Sequence, residues 1–92
     1  MNIAIDHDLT YDQDPKLWDL FIATALQRGH KVWGVTKREP HLTVYMSCPV
    51  IYTSRKAKRP FVKAKGIHID VWIDDSPEGI LFNDGAQVQV QG

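Results

Sequence analysis

Aspartates follow two of the apolar stretches in this sequence. Asp6 and Asp8 come after the run IAI near the amino terminus, and a second pair, Asp74 and Asp75, comes after the run VWI. Carboxylates that lie close together repel one another, and each resists ionising unless a cation or a basic group compensates it. An oxygen-only ligand set suits Mg²⁺, which also keeps water molecules and phosphate oxygens around it. If the fold brings the two pairs of aspartates close together, the pattern predicts a site for magnesium and phosphate.

Hydroxyl and lysine side chains follow two further apolar runs. Thr36 ends the run KVWGVT, and Lys58 stands shortly after the run PVIYTS, with Lys56 as its competitor. Such groups suit the non-bridging oxygens of a phosphoryl group, where positioning and charge neutralisation supply most of the catalysis. Each feature alone also has a structural explanation, since aspartate often forms turns after strands and threonine favours strands. The ordered set as a whole is what favours a functional site.

Short apolar runs separated by turn residues predict alternating strands and helices. Asp14 can cap a first helix, Pro15 suits its first position, and Gly29 stands where a left-handed cap ends it. A second helix is expected from Pro60 to Gly66, because the residue before a proline avoids the helical region. The predicted strands are 2–5, 31–36, 41–47, 49–54 and 68–73, and the tail predicts a C-terminal β-hairpin with arms ILF and AQVQV around the turn NDG.

This order of elements predicts one α/β domain over residues 1–92, with a mostly parallel sheet. Ligands of such sheets bind beyond the carboxyl ends of the strands. Those ends carry the acids, Thr36 and the segment that contains Lys58. The fold itself therefore favours bringing these residues together.

The composition limits the functions that the chain can have. Eleven basic residues balance eleven acidic ones, so the overall charge gives no strong signal for nucleic acid or membrane. The basic stretch from Arg55 to Lys65 is a local exception, for which a solvated helix face is the commonest explanation. The single cysteine, Cys48, excludes an internal disulfide and a cysteine-built zinc site. Because the sequence shows no leader and no apolar run of membrane-spanning length, a cytoplasmic location is expected. A hydrophobic core of this size would gain stability from homo-oligomer formation.

The motifs, taken in this order, resemble those of the haloacid dehalogenase-like (HAD) superfamily of phosphohydrolases. The resemblance extends from Ile3 to about Ile80. The first family motif, an apolar strand followed by D-x-D-x-T, is similar to IAIDHDLT, and the second, a strand that ends in threonine or serine, is similar to KVWGVT. The third, a lysine near the start of a helix, is best matched by Lys58, and the fourth, paired acids after a strand, by VWIDDSP. The resemblance implies a three-layer Rossmann-like fold with helices flanking the sheet.

The resemblance also implies a Mg²⁺-dependent phosphomonoesterase that forms an aspartyl-phosphate on a small phosphorylated metabolite or nucleotide. Asp6 would attack phosphorus, and Asp8 would protonate the leaving oxygen, a task that suits a carboxyl whose pKa is raised by neighbouring acids. Thr36 and Lys58 would bind the phosphate oxygens. The magnesium ligands would be Asp6, the backbone carbonyl of Asp8 and Asp75, with Asp74 in support.

The sequence departs from the family pattern in two places. Leu9 stands where many members have glycine, and only six residues separate Asp8 from Pro15, which leaves no room for the cap domain that usually selects the substrate. A capless core suggests a large or exposed substrate, or a pocket completed by a second subunit. The alternative function is a non-catalytic module that sequesters a nucleotide-like ligand at the same site. A third is contact with nucleic-acid ends through the basic stretch, which would weaken steeply with salt.

Overall fold

The computed structural model of the protein describes residues 1–85, in which strands alternate with helices. The elements are β1 (Asn2–Ile5), a 3-10 helix (Tyr11–Gln13), α1 (Pro15–Gln27), β2 (Lys31–Thr36), β3 (Val50–Tyr52), α2 (Lys58–Ala64), β4 (Val71–Ile73) and α3 (Glu78–Leu81). Within this part of the chain, no helix is long and apolar enough to cross a membrane. The fold is α/β, as the sequence predicts.

The four strands of the described residues form one parallel sheet in the order β3-β2-β1-β4. Ile3 of β1 lies opposite Val32 of β2 on one side and opposite Val71 of β4 on the other. Because the strands all run in the same direction, their carboxyl ends share one edge of the sheet. That edge carries Asp6 after β1 and Asp74 after β4, so the topology itself makes the two acids neighbours.

Helices cover both faces of the sheet. Alternate residues of β1 point to opposite faces: Ile3 and Ile5 pack with Ile22 of α1, whereas Ala4 packs with Val62 of α2. The connections β1-α1-β2 and β3-α2-β4 progress in opposite directions along the sheet, and right-handed crossovers then place their helices on opposite faces. The predicted parallel sheet with flanking helices is confirmed, and it is compatible with a Rossmann-like arrangement.

The first helix begins where the sequence indicates. Asp14 Oδ1 accepts a hydrogen bond from the backbone N–H of Leu17 at 3.2 Å, and Pro15 occupies the first turn. After the helix, Gly29 adopts a φ of 85°, a left-handed conformation that costs glycine little and ends the helix. These signals fix the loop between β1 and α1, which carries Asp6 and Asp8.

The strand predicted over residues 41–47 is wrong, because this segment forms turns and irregular backbone. Met46 is nevertheless buried and belongs to the apolar cluster on the α1 face of the sheet. It packs on Gly34, where a Cβ would lie only 2.5 Å from the Met46 sulfur. Met46 therefore fixes this connection between the parallel strands β2 and β3 against the sheet.

The second helix begins at Lys58, two residues before the predicted start at Pro60. Proline is tolerated there because the N–H groups of the first helical turn have no partner within the helix. The earlier start makes Lys58 the first residue of α2.

Two predictions near the carboxyl end need correction. The last strand covers only Val71–Ile73 rather than residues 68–73. The first arm of the predicted C-terminal hairpin is not a strand, because Glu78–Leu81 forms a single helical turn. The second arm, residues 86–90, lies outside the described residues.

Candidate functional site

Three carboxylates from two adjacent strands meet at one edge of the sheet. Asp6 follows β1, whereas Asp74 and Asp75 follow β4. The Asp6 backbone N–H donates to the carbonyl of Ile73 at 2.9 Å, which extends the pairing of the two strands up to this point. One carboxylate oxygen of each acid lies within 4.8 Å of the others. We call these three residues the acid cluster.

The ammonium group of Lys58 lies among these acids. Its Nζ donates to Asp6 Oδ1 at 2.9 Å and to Asp74 Oδ2 at 2.6 Å. Lys58 reaches them because the amino end of α2 stands at the carboxyl edge of the sheet, and its side chain is only 4 % exposed. Lys56, by contrast, is exposed and forms no ion pair with any acid among residues 1–85. Of the two candidate lysines, Lys58 is the one that contacts the acid cluster.

Asp6 has an unusual acidity. Burial raises its pKa from 3.8 to about 7, although the hydrogen bond and the charge of Lys58 act in the opposite direction. Asp75 and Asp74 raise it further. A second positive charge near Asp6 would favour its ionised form, because an opposite charge at short range stabilises a carboxylate.

Polar contacts hold the other members of the acid cluster in place. Thr10 Oγ1 donates to Asp75 Oδ1 at 3.2 Å, and the backbone N–H of Ser76 donates to Asp74 Oδ1 at 3.0 Å. Thr10 is buried, so the fold of the first loop fixes its position. The loop after β1 therefore orients an acid that belongs to β4.

Thr36 ends β2 and is 1 % exposed. Its Oγ1 accepts a hydrogen bond from the backbone N–H of Arg38 at 3.3 Å, which leaves the hydroxyl proton to be donated elsewhere. Thr36 lines the same cavity as Asp6 and Lys58. The structure thus places Thr36 at the same cavity as the acids and the lysine.

Asp8 pairs with Arg38 rather than with the acid cluster. The guanidinium group binds it through two hydrogen bonds, from Nε to Oδ2 at 2.9 Å and from Nη2 to Oδ1 at 2.8 Å. His7 Nδ1 lies 3.2 Å from the same Oδ1. The hydrogen bonds from Arg38 lower the pKa of Asp8, and they outweigh the opposing effect of its partial burial. The expectation that neighbouring acids raise the pKa of Asp8 is therefore wrong, and Asp6 is the acid with the raised value.

A cavity of about 560 Å³ opens at this edge of the sheet. Its volume is in the range of sites for ligands of drug or nucleotide size. Besides the acids, Lys58 and Thr36, its lining includes the basic residues Lys37, Arg38 and Arg55 and the apolar residues Leu9, Leu42 and Phe82. The cavity therefore combines a charged interior with apolar contacts.

The segment of residues 82–84 forms one wall of the cavity, and we call it the wall segment. Lys37 Nζ donates to the Asp84 carboxylate at 2.7 Å. Asn83 Oδ1 accepts a hydrogen bond from the backbone N–H of Ala57 at 2.6 Å, next to the start of α2. The Asp84 backbone N–H donates to the carbonyl of Arg55 at 2.7 Å. These contacts attach the wall segment to the loops that follow β2 and β3.

Loops at this edge contain strained backbone. Leu9, Ser54 and Arg55 adopt φ angles of 62°, 51° and 67°, which place them in the left-handed region. Such conformations cost a residue with a side chain about 1–2 kcal/mol and persist where the surroundings enforce them. The glycine that is common at the position of Leu9 in the resembled motif would adopt this conformation easily.

The donor set of the acid cluster fits a hard divalent cation. Asp6, Asp74 and Asp75 offer only carboxylate oxygens, the ligands that Mg²⁺ prefers, within reach of one another. When ionised, they carry three negative charges against the single positive charge of Lys58. No hydrogen bond within residues 1–85 uses the carbonyl oxygen of Asp8, the backbone ligand that the family resemblance implies.

Arg38 and the wall segment were not among the site residues predicted from the sequence. A usable signal existed for Arg38, since it stands two residues after Thr36 and must lie near the same edge of the sheet. The wall segment carried no such signal, because its sequence predicts the end of a hairpin arm at Phe82 and the start of the turn at Asn83 and Asp84.

Comparison of the chain with protein-family models, with curated proteins and with solved structures found no match. The family resemblance therefore rests on the motifs in the sequence alone.

Proposed function

We propose that the protein is a Mg²⁺-dependent phosphomonoesterase of the HAD type, a capless domain that works in the cytoplasm on a small phosphorylated metabolite or nucleotide. One observation carries the proposal: Asp6 and Asp74 converge on Lys58 at the carboxyl edge of a parallel sheet. Asp75 and Thr36 lie at the same cavity. Such a set can bind, neutralise and attack a phosphoryl group.

Asp6 is the proposed nucleophile. Its carboxylate oxygen attacks phosphorus in line and forms an acyl phosphate, while the bond from phosphorus to the oxygen of the leaving alcohol breaks. Water then attacks phosphorus, the bond to Asp6 breaks, and inorganic phosphate leaves. Lys58, at 2.9 Å, favours the ionised form of Asp6 that this attack requires.

Asp6, Asp74, Asp75 and the carbonyl of Asp8 would hold the magnesium ion. When bound, the ion supplies charge that neutralises the phosphoryl oxygens and the crowded carboxylates. Thr36 donates its free hydroxyl proton to a phosphate oxygen, and the ammonium of Lys58 attracts the same group electrostatically.

Asp8 is the proposed acid and base for the leaving group and for water. Arg38 holds it ionised in this arrangement, so proton transfer requires the pair to open. A phosphate group also accepts two hydrogen bonds from a guanidinium. Substrate phosphate therefore competes for Arg38 and frees Asp8 to carry a proton.

The Asp8–Arg38 pair also supports a second candidate function. An acid that a guanidinium binds twice is a poor proton donor, as expected of a protein that only captures a nucleotide-like ligand. Such a binder would use the same cavity and cations without cleaving the phosphate ester.

Phosphate release from an aryl phosphate and a panel of nucleotides tests the proposal. We expect release with Mg²⁺, loss of release with EDTA, and almost complete loss in Asp6→Asn. If the folded protein binds nucleotides, releases no phosphate from any of them, and Asp6→Asn retains that binding, the second candidate function is correct instead.

A further inference from the structure

Exposed basic side chains run from the cavity along α2. This basic stripe consists of Arg55, Lys56, Arg59, Lys63 and Lys65, all of which are exposed. No acidic residue interrupts the sequence from Arg55 to Lys65. Arg55 lines the cavity, so the basic stripe begins at the proposed active site.

The basic stripe lacks compensating negative charge. None of its members forms an ion pair with an acid within residues 1–85. Other cations at the cavity do have acidic partners, as Arg38 has Asp8 and Lys37 has Asp84. Because the chain as a whole has a formal net charge of zero, the stripe is a local positive field that suits a polyanion.

The direction of α2 determines that the basic stripe leads away from the cavity. Lys58, the first residue of α2, contacts the acid cluster, so the helix leads away from the site. Arg59 and Lys63 are four residues apart, which puts them on one side of the helix about 6 Å apart along its axis. A row of phosphates whose end enters the cavity would meet Arg55 first and these two residues next.

The apolar side of α2 is already used within the domain. Val62 is 1 % exposed and packs with Ala4 and Val35 of the sheet. A helix that binds a membrane surface inserts its apolar side into the lipid, whereas the Val62 side of α2 is buried against the sheet. The stripe therefore favours nucleic acid over an anionic lipid surface.

We propose that the substrate is a nucleic-acid strand that ends in a phosphomonoester. Its terminal phosphate enters the cavity, while its backbone phosphates lie along the basic stripe. This inference rests on the proposed function, because it takes the cavity as the place where the terminal phosphate is cleaved.

The test compares kcat/KM for phosphate release from three probes: dodecathymidylate with a 5′-phosphate, the same strand with a 3′-phosphate, and thymidine 5′-monophosphate. We expect one of the strands to be preferred to the mononucleotide at low salt. The double variant Arg59→Glu/Lys63→Glu should lower the ratio of strand to mononucleotide about tenfold. The matched control is Arg28→Glu/Lys31→Glu, which reverses two exposed charges at the opposite edge of the sheet and should leave the ratio unchanged.

Binding is measured separately from cleavage, by fluorescence anisotropy of the labelled strands with Asp6→Asn. We expect affinity to fall with salt, and the slope of log K against log salt to decrease by about 1.4 when two phosphate contacts are lost.

The outcomes separate the two claims. Equal kcat/KM for strand and mononucleotide, with no effect of the charge reversal, would overturn the inference and leave the proposed function standing. Strand binding through the stripe without phosphate release from any probe would overturn the proposed function and, with it, the assignment of a substrate. Phosphatidylserine vesicles that bind as tightly as the strands would also overturn the inference.

Discussion

Lys58 and Asp74 form an ion pair with an Nζ–Oδ2 distance of 2.6 Å, although one belongs to α2 and the other to the end of β4. Their side chains are 4 % and 3 % exposed. Because Lys58 also contacts Asp6, it is the residue that joins the acids of the two strands. Loss of Lys58 would leave both buried carboxylates without a compensating charge, which costs more than the intact network contributes.

Replacing Lys58 tests this network. Lys58→Ala should lower the free energy of unfolding by about 3 kcal/mol at pH 8 in EDTA, because two buried carboxylates lose their cation. Urea unfolding followed by tryptophan fluorescence measures it. Lys56→Ala is the matched control and should change the stability by less than about 0.5 kcal/mol, since Lys56 is exposed. Equal effects of the two variants would refute the role of Lys58.

Asp6→Asn should make the metal-free protein more stable at pH 8, by about 1 kcal/mol. Burial raises the pKa of Asp6 to about 7 in the folded protein, against 3.8 ordinarily. The folded state therefore binds more protons than the unfolded state between these values, and stability falls as the pH rises from about 4 to 7. Asp6→Asn has no carboxyl group at this position, so its stability should not fall in this way as the pH rises. The difference in stability between the variant and the wild type should therefore vanish near pH 4.

Urea unfolding at several pH values in EDTA measures the difference. Glu39→Gln is the control, because Glu39 is an exposed acid without an ion pair among residues 1–85. A stability of Asp6→Asn that stays below wild type at pH 8 would show that the ionised carboxylate is not penalised.

Asn83→Ala should loosen the wall segment. The variant removes the acceptor for the Ala57 N–H, a contact of 2.6 Å, and should cost about 1 kcal/mol of unfolding free energy. Asn83→Asp keeps an oxygen acceptor and should retain most of the stability. Hydrogen exchange at the Ala57 amide gives a local readout, and equal protection in the two variants would argue against this contact.

Much of the fold can be predicted from the sequence where apolar runs and helix-capping residues indicate the same elements. The strands over residues 2–5 and 31–36 follow from apolar runs, and α1 follows from Asp14, Pro15 and Gly29. The meeting of the first and fourth motifs follows from parallel topology, since neighbouring strands bring their carboxyl ends to one edge.

The rest depends on tertiary contacts that a local pattern does not contain. Residues 41–47 alternate like a strand, yet the position of the segment is decided by Met46 packing on Gly34. The acidity of Asp8 depends on Arg38, a partner 30 residues away. The start of α2 is predicted two residues late because the residue before a proline avoids the helical region, whereas Arg59 lies directly before Pro60 inside α2.

A smaller prediction concerns Cys48, whose pKa burial raises to about 11. Only the thiolate reacts with disulfide reagents, so at pH 8 the folded protein should react on the order of a hundredfold more slowly than the urea-unfolded chain. Timed labelling with a thiol reagent measures this. Equal rates in the two states would show that the thiol is accessible in the folded protein.

A crystal structure with Mg²⁺ and beryllium fluoride, a mimic of the phosphoryl group, would show directly whether Asp6 is the nucleophile. We expect beryllium bonded to a carboxylate oxygen of Asp6, with the metal ion beside it at Asp75 and with Lys58 and Thr36 in contact with fluoride. Beryllium fluoride and metal bound elsewhere, or bound to Asp8 while Asp6 stays paired with Lys58 alone, would contradict it.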